Sequence, residues 1–137
     1  MKPVLLQDAE LLLRVIAAAL LGAMIGWQRE HARSEAGVRT FAAVAFGSCV
    51  FGLLDGADGR ISAQVVSGIG FLGAGIIMRN RGHVHGLTTA AALWAMAGIG
   101  LLAARGRFLV AAVVTLLLLG LLALPVKKWE HLDNGRK

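Results

Sequence analysis

Charged residues make up only 16% of this 137-residue chain, against 57% apolar residues. A soluble domain carries about 25% charge, so water is excluded as the main solvent. Cysteine is confined to Cys49; with no second thiol, no intrachain disulfide can staple the fold. Acids are missing from every long apolar stretch, since all eight Asp and Glu residues fall in connections, tails or boundaries. Ser67 therefore has no neighbouring His, Lys or Asp in its stretch to activate it as a nucleophile. His83 and His85 lack a third local ligand, which argues against a structural zinc site. No catalytic constellation emerges, and the expectation is a protein that is not an enzyme and takes no metal or cofactor.

What is present is long apolar runs. Residues 11–27, 38–54, 61–78, 87–104 and 108–126 each approach the ~20 helical residues that cross ~30 Å of hydrocarbon. The second run is apolar only from Thr40 onward and reaches full length if Arg39 snorkels to the headgroups. The predicted architecture is all-α: one polytopic membrane domain over residues 1–137, a bundle of five transmembrane helices. The first run is expected to be retained rather than cleaved, because Asp8 and Glu10 accompany Lys2 before it and no small-residue cleavage pattern ends it. Pro125 sits near the end of the last run, where termination costs least.

The net charge of +6 does not point to nucleic acid, because the basic residues are scattered among span boundaries and form no single soluble face. They report topology instead. Arg29, Arg33, Arg39, Arg79, Arg81, Lys127, Lys128, Arg136 and Lys137 total nine on one side, against Lys2, Arg60, Arg105 and Arg107 on the other. Positive-inside bias places the N-terminus outside and the C-terminus in the cytoplasm. The acidic connection 55–60 reads as a tight turn whose glycines supply positive φ.

Within lipid, small residues repeated on one helix face signal close packing. Ala18, Gly22 and Gly26 form such a stripe in the first span, Ala63, Ser67, Gly70 and Ala74 in the third, and Ala91, Ala95 and Gly98 in the fourth. The leucine-rich fifth span is expected at the lipid-facing rim. The string GIGFLG at 68–73 matches a dinucleotide-binding pattern but lies inside a membrane span with no preceding strand, so the match is accidental. Its glycines, with Gly75, serve close packing or a broken helix able to bind a solute.

Polar residues mark two further places. Arg60, Gln64 and Ser67 descend one face of the third span and should face protein or water. Trp94, near the middle of the fourth span, should have a buried partner, whereas Trp27 and Trp129 read as interface anchors. Arg29, Glu30, Arg39, Thr40, Arg79, Arg81, Thr88 and Thr89 belong to the two inner connections or adjoining helix ends. They make either an anion site at the start of the fourth helix or ordinary caps and headgroup contacts.

The strings LGAMIGWQRE (21–30), AGVRT (36–40), GRISAQVVSGIGFLGAGIIMR (59–79) and GLTTAAALW (86–94), in this order, resemble the membrane domain of the MgtC/SapB family of bacterial inner-membrane proteins. The resemblance implies a five-helix membrane fold, a role linked to magnesium limitation and, in pathogens, virulence, with no established transported substrate. Many relatives continue into a soluble C-terminal domain, whereas this chain stops eleven residues after Val126, implying that any role of that domain is absent or supplied elsewhere. Thr88 and Ala95 stand where some relatives carry Asn and Cys. The motif residues carried over are Arg39, Thr40, Arg60, Gln64, Ser67, Gly68, Gly70, Gly73, Gly75, Arg79, Thr89 and Trp94. The expected function is modulation of other membrane proteins under ion stress; the alternative is a channel or carrier built around the third span and Gln64. Expected partners are the lipid bilayer, other membrane proteins and a second copy in a dimer.

Overall fold

The computed structural model describes residues 4–80 and 83–124, with only the backbone of residues 78–80 and 83. It is all-helical apart from one small hairpin: α1 (Val4–His31), α2 (Val38–Leu53), α3 (Arg60–Ile76), β1 (Met78–Asn80), β2 (His83–His85), α4 (Leu87–Ala104) and α5 (Phe108–Ala123). Strands β1 and β2 pair antiparallel with Arg79 opposite Val84. This hairpin shortens the third apolar run, whose helix ends at Ile76 rather than at 78. Helices α1 and α4 are long and apolar enough to cross a membrane, while α2, α3 and α5 are shorter apolar helices of 16, 17 and 16 residues. Pro125, Arg81, Trp129 and the basic residues after 124 lie outside the described residues.

The centre of the molecule is α4, packed by all four other helices. It can hold that place because its surface is small almost all round: Ala90, Ala92, Ala97, Gly100, Ala103 and Ala104 are buried, with Leu93, Met96 and Ile99 filling the remaining volume. Glycine sets the closest approaches. A Cβ on Gly22 would meet Phe41 O at 2.5 Å and Ala42 Cα at 2.8 Å, and one on Gly26 would meet Val38 Cα at 2.5 Å, so α1 and α2 touch backbone to backbone. Gly100 has the same relation to Ala45 of α2, and a Cβ on Gly52 would meet Ala104 Cβ at 2.7 Å.

The first expected stripe thus packs α1 on α2; among the described residues the other two are left largely uncovered. Ala63, Ser67, Gly70 and Ala74 are exposed, and a Cβ on Gly68, Gly70 or Gly75 would meet nothing within 4 Å. The interior face of α3 is Ser62, Ile69 and Gly73, with Gly73 set against Ala90. Likewise Ala91 and Gly98 are exposed and Ala95 half-buried; the inward glycine of α4 is Gly100. Helix α3 runs unbroken through its glycines. Trp94 is 56% exposed, so the expected buried partner is corrected to an outward-facing indole. The rim position of α5 fits its leucines, since Leu116, Leu117 and Leu121 are exposed and only Ala111 and Thr115 are buried.

The turns close by local chemistry. Arg14 of α1 donates to Ala104 O (2.7 Å) and pairs with Glu10, tying α1 to the last turn of α4. At that turn Gly106 (φ 68) donates to Ala103 O and Arg107 N–H to Leu102 O, the paired bonds of a left-handed helix stop. At the start of α3, Asp55 accepts from the N–H groups of Ile61 (2.9 Å) and Ser62 (3.0 Å). Hydrogen bonding from the Ser62 side chain, then from these N–H groups, holds its carboxyl below the ordinary range. Gly59 supplies the expected positive φ, at 68°.

Candidate functional site

The polar residues that converge do so where the α1–α2 connection meets the start of α4. The convergence begins with how α1 stops. Arg33 N–H donates to Glu30 O and Ser34 N–H to Arg29 O, which places Arg33 in the left-handed region at φ 53, a position usually taken by glycine. The turn delivers Ser34 and Glu35 to α4. Glu30 reaches forward to accept from Val38 N–H (3.2 Å), satisfying a free donor at the start of α2. Ala36, 3% exposed, anchors the connection in the core.

Thr89, 1% exposed, sits at the focus. Its Oγ1 donates to Glu35 Oε2 at 2.6 Å and lies 2.7 Å from Ser34 Oγ. A threonine hydroxyl has one proton, and the carboxylate can only accept; Ser34 is therefore the donor to Thr89. The chain Ser34 to Thr89 to Glu35 is directional. It holds the Glu35 carboxyl below its ordinary value, chiefly through the Thr89 hydrogen bond, with Arg29 adding a smaller electrostatic pull.

Beside this chain lies a polar pocket of about 260 Å³ bordered by Arg29, Arg33, Glu35, His85 and Thr88. The Nε of Arg29 is buried there without a hydrogen-bond partner among the described residues. The pocket presents two guanidinium groups and one carboxylate. Because the only proton of Thr89 is committed to Glu35, the anion site expected from Thr88, Thr89 and nearby arginines lacks one of its donors. Among the described residues no three His, Cys, Asp or Glu side chains stand together to hold a metal.

Of the other motif residues, Arg39 and Thr40 are exposed on the first turn of α2, outside this pocket, and Arg79 lies on β1. Arg60, Gln64 and Ser67 are exposed on α3. Arg60 pairs at 3.9 Å with Asp58, and Ser67 bonds back to Ala63 O. A second, apolar groove of about 590 Å³ between α2 and α3 is bordered by Thr40 and Gln64. Ser34 and Glu35 were not among the expected site residues; a Ser-Glu pair in a short polar connection is ordinary, and only its spatial meeting with Thr89 sets it apart.

Comparison with known proteins places these features. The MgtC family profile matches residues 15–130. Protein MgtC of Salmonella typhimurium (strain LT2) is 50% identical over 113 residues, covering 79% of this chain and 49% of the relative. Protein MgtC of Brucella abortus (strain 2308) is 43% identical over 113 residues, covering 78% and 48%. An uncharacterized protein of Haemophilus influenzae is 37% identical over 142 aligned residues, covering 90% and 60%. The chain spans about half the length of the Salmonella and Brucella relatives it matches, and no solved structure matches it. By the extent of the profile match and the identity of these relatives, the chain belongs to the MgtC family.

Proposed function

We propose that this chain is a five-span protein of the bacterial inner membrane which, like MgtC, acts under magnesium limitation, and does so by modulating other membrane proteins without chemistry of its own. The observation that carries the membrane part is the outer surface. Leu12, Leu20, Phe71, Leu109, Leu117 and Leu121 are all more than half exposed, and together they make an apolar surface far beyond the patches that soluble monomers tolerate. Helices of 16 or 17 residues reach only ~24–26 Å, a shortfall that bilayers absorb by thinning and by snorkelling of flanking arginines.

The modulating part rests on the pocket at Thr89, a polar feature at one end of an apolar bundle, rimmed by Arg29 and Arg33. A partner's membrane-proximal loop is the natural match for such a rim. The exposed stripe of Ala63, Ser67, Gly70 and Ala74 supports self-association as a dimer. A role in virulence extends the family resemblance.

The fold groups the α1–α2 connection with the α4 start, and Arg14 with the α4 end, which supports an orientation with the arginine-rich end in the cytoplasm. Cysteines placed at Asp58 and at Ser34 in a Cys49→Ser background are expected to label from opposite sides, Asp58 from outside. Labelling of both from one side removes the orientation.

The alternative, a carrier, draws on the α2–α3 groove and Gln64. That groove is almost wholly apolar, whereas Mg²⁺ holds its water strongly and is bound through carboxylates and retained waters. Purified protein in liposomes loaded with a magnesium-sensitive dye is expected to match empty liposomes under an imposed gradient. Saturable uptake abolished by Gln64→Leu establishes the carrier reading instead.

A further inference from the structure

The structure assigns to the pocket beside Thr89 a site for one phosphate group that carries a proton, from inorganic phosphate or from the headgroup of a phosphomonoester lipid, with sulfate rejected. This deepens the reading of that pocket given above. It needs neither a partner nor a membrane orientation, and is tested on the purified chain alone.

The donors call for an anion. Arg29 and Arg33, at the end of α1 and just beyond it, both border the pocket. Neither forms a salt bridge among the described residues; Glu30, the nearest acid in sequence, is engaged at Val38 N–H instead. The Nε of Arg29 is buried without a hydrogen-bond partner. Together with a neighbouring Nη it forms the edge that binds two oxygens of one anion in parallel. A buried donor left unbonded is costly, and an oxyanion at this edge removes the cost. The start of α4 borders the same pocket. No side chain caps its Gly86 N-cap, and Ala90 N–H is the donor that closes the first turn, onto Gly86 O. The N–H groups before it and the Thr88 hydroxyl therefore add donors and positive partial charge.

Glu35 decides which anion. An ionised carboxylate accepts hydrogen bonds and donates none. Thr89 donates to its Oε2 and so fixes the acceptor at the pocket; that is the part Thr89 plays, in place of donating to the anion. Sulfate has no proton, and its oxygens meet Glu35 as like charge. Phosphate keeps at least one proton at neutral pH, which it donates to Glu35 while its other oxygens accept from the arginines and Thr88. Two guanidinium groups against one carboxylate leave a single positive charge, the complement of a singly charged phosphate. His85, the remaining titratable group bordering the pocket, donates or accepts according to its tautomer and favours neither anion.

The test titrates the full chain in neutral detergent with sodium phosphate and, separately, sodium sulfate at equal ionic strength, read by isothermal calorimetry. One phosphate per chain is expected, held about tenfold or more tighter than sulfate, the weight of one hydrogen bond to a charged group. Glu35→Gln keeps a carbonyl oxygen for Thr89 and supplies an amide donor, so sulfate should rise to match phosphate. Arg33→Gly removes a guanidinium at a φ of 53 that suits glycine. The thermal midpoint without anion is therefore retained, while both anions weaken about tenfold or more. Arg29→Gln should weaken both likewise, and Arg39→Gln, outside the pocket, should change neither. Equal binding of phosphate and sulfate by the wild type overturns the proposal, as does undiminished phosphate binding in Arg33→Gly. So does an equal loss in Arg39→Gln, which marks a diffuse charge effect. Phosphate titrations in phosphatidylcholine nanodiscs with and without phosphatidic acid identify the source: competition assigns the site to the headgroup, and its absence to free phosphate. Failure of partner docking leaves every one of these binding results in place.

Discussion

Gly22→Leu is expected to yield no folded protein, while Gly70→Leu accumulates at the wild-type level. The two glycines look alike in the sequence, each on a stripe of small residues. Their surroundings differ. A Cβ at Gly22 meets Phe41 O at 2.5 Å, Ala42 Cα at 2.8 Å and Ala45 Cβ at 2.9 Å, and two of these are backbone atoms that no rotamer change can move. Overpacking a close-packed site costs ~1–3 kcal/mol when side chains can yield, and separating two helix backbones lies at or above the upper end. A Cβ at Gly70 meets nothing within 4 Å. Size-exclusion profiles of fluorescent fusions in detergent read both outcomes at once. Equal loss in the two variants shows that α3 is packed in a way this fold does not contain. If Gly70→Leu keeps the fold but loses an oligomer, the exposed α3 stripe is the contact between copies.

The second large effect is expected at Thr89. Thr89→Val keeps the shape of a side chain that is 1% exposed and removes the proton that bridges α4 to Glu35. Hydrogen bonds to charged groups contribute ~1.5–3 kcal/mol; because Glu35 is exposed, solvent screening lowers the expected loss to about 1–2 kcal/mol. The pH dependence gives a sharper signature. The folded-state pKa of Glu35 lies below its ordinary 4.5, so its stabilisation is fully present above that value and is lost as the pH falls through the lowered one. Asp55 contributes a slope of the same sign, so the difference between wild type and Thr89→Val isolates Glu35. Thermal unfolding in detergent should show the two converging as the pH drops from 7 to below 4, with Thr89→Ser following wild type. A constant gap across that range shows that the effect is packing alone.

Hydropathy made the helices legible in the sequence. The runs 38–54 and 87–104 fall within one residue of α2 and α4, because apolar composition and flanking glycines or charges mark helix ends independently of neighbours. Residues 61–78 overran, since Ile77 and Met78 are as apolar as the helix before them, and nothing local marks the change to β1. Packing faces were harder to read. Helix α4 is small on nearly every side, so the Ala91, Ala95, Gly98 stripe and the true contact at Gly100 look equally good as patterns. Only the presence of α2 at Ala45 decides between them. Thr89 was visible through its motif, but Ser34 and Glu35 depend on a left-handed Arg33, a stop that glycine usually signals and arginine hides.

The central position of α4 has a consequence for how the chain comes into being. Helices α1 and α2 are neighbours in sequence and lock together at Gly22 and Gly26, so they have their contact as soon as both leave the ribosome. Helix α3 emerges next with its inward Gly73 facing a helix not yet synthesised, and Ala45 and Ser48 of α2 wait for the same one. Nascent chains assemble from the N-terminus onward, so until residue 104 has been delivered the bundle is a tight pair with a loosely attached third member. Its exposure to proteases and quality control is concentrated in that interval.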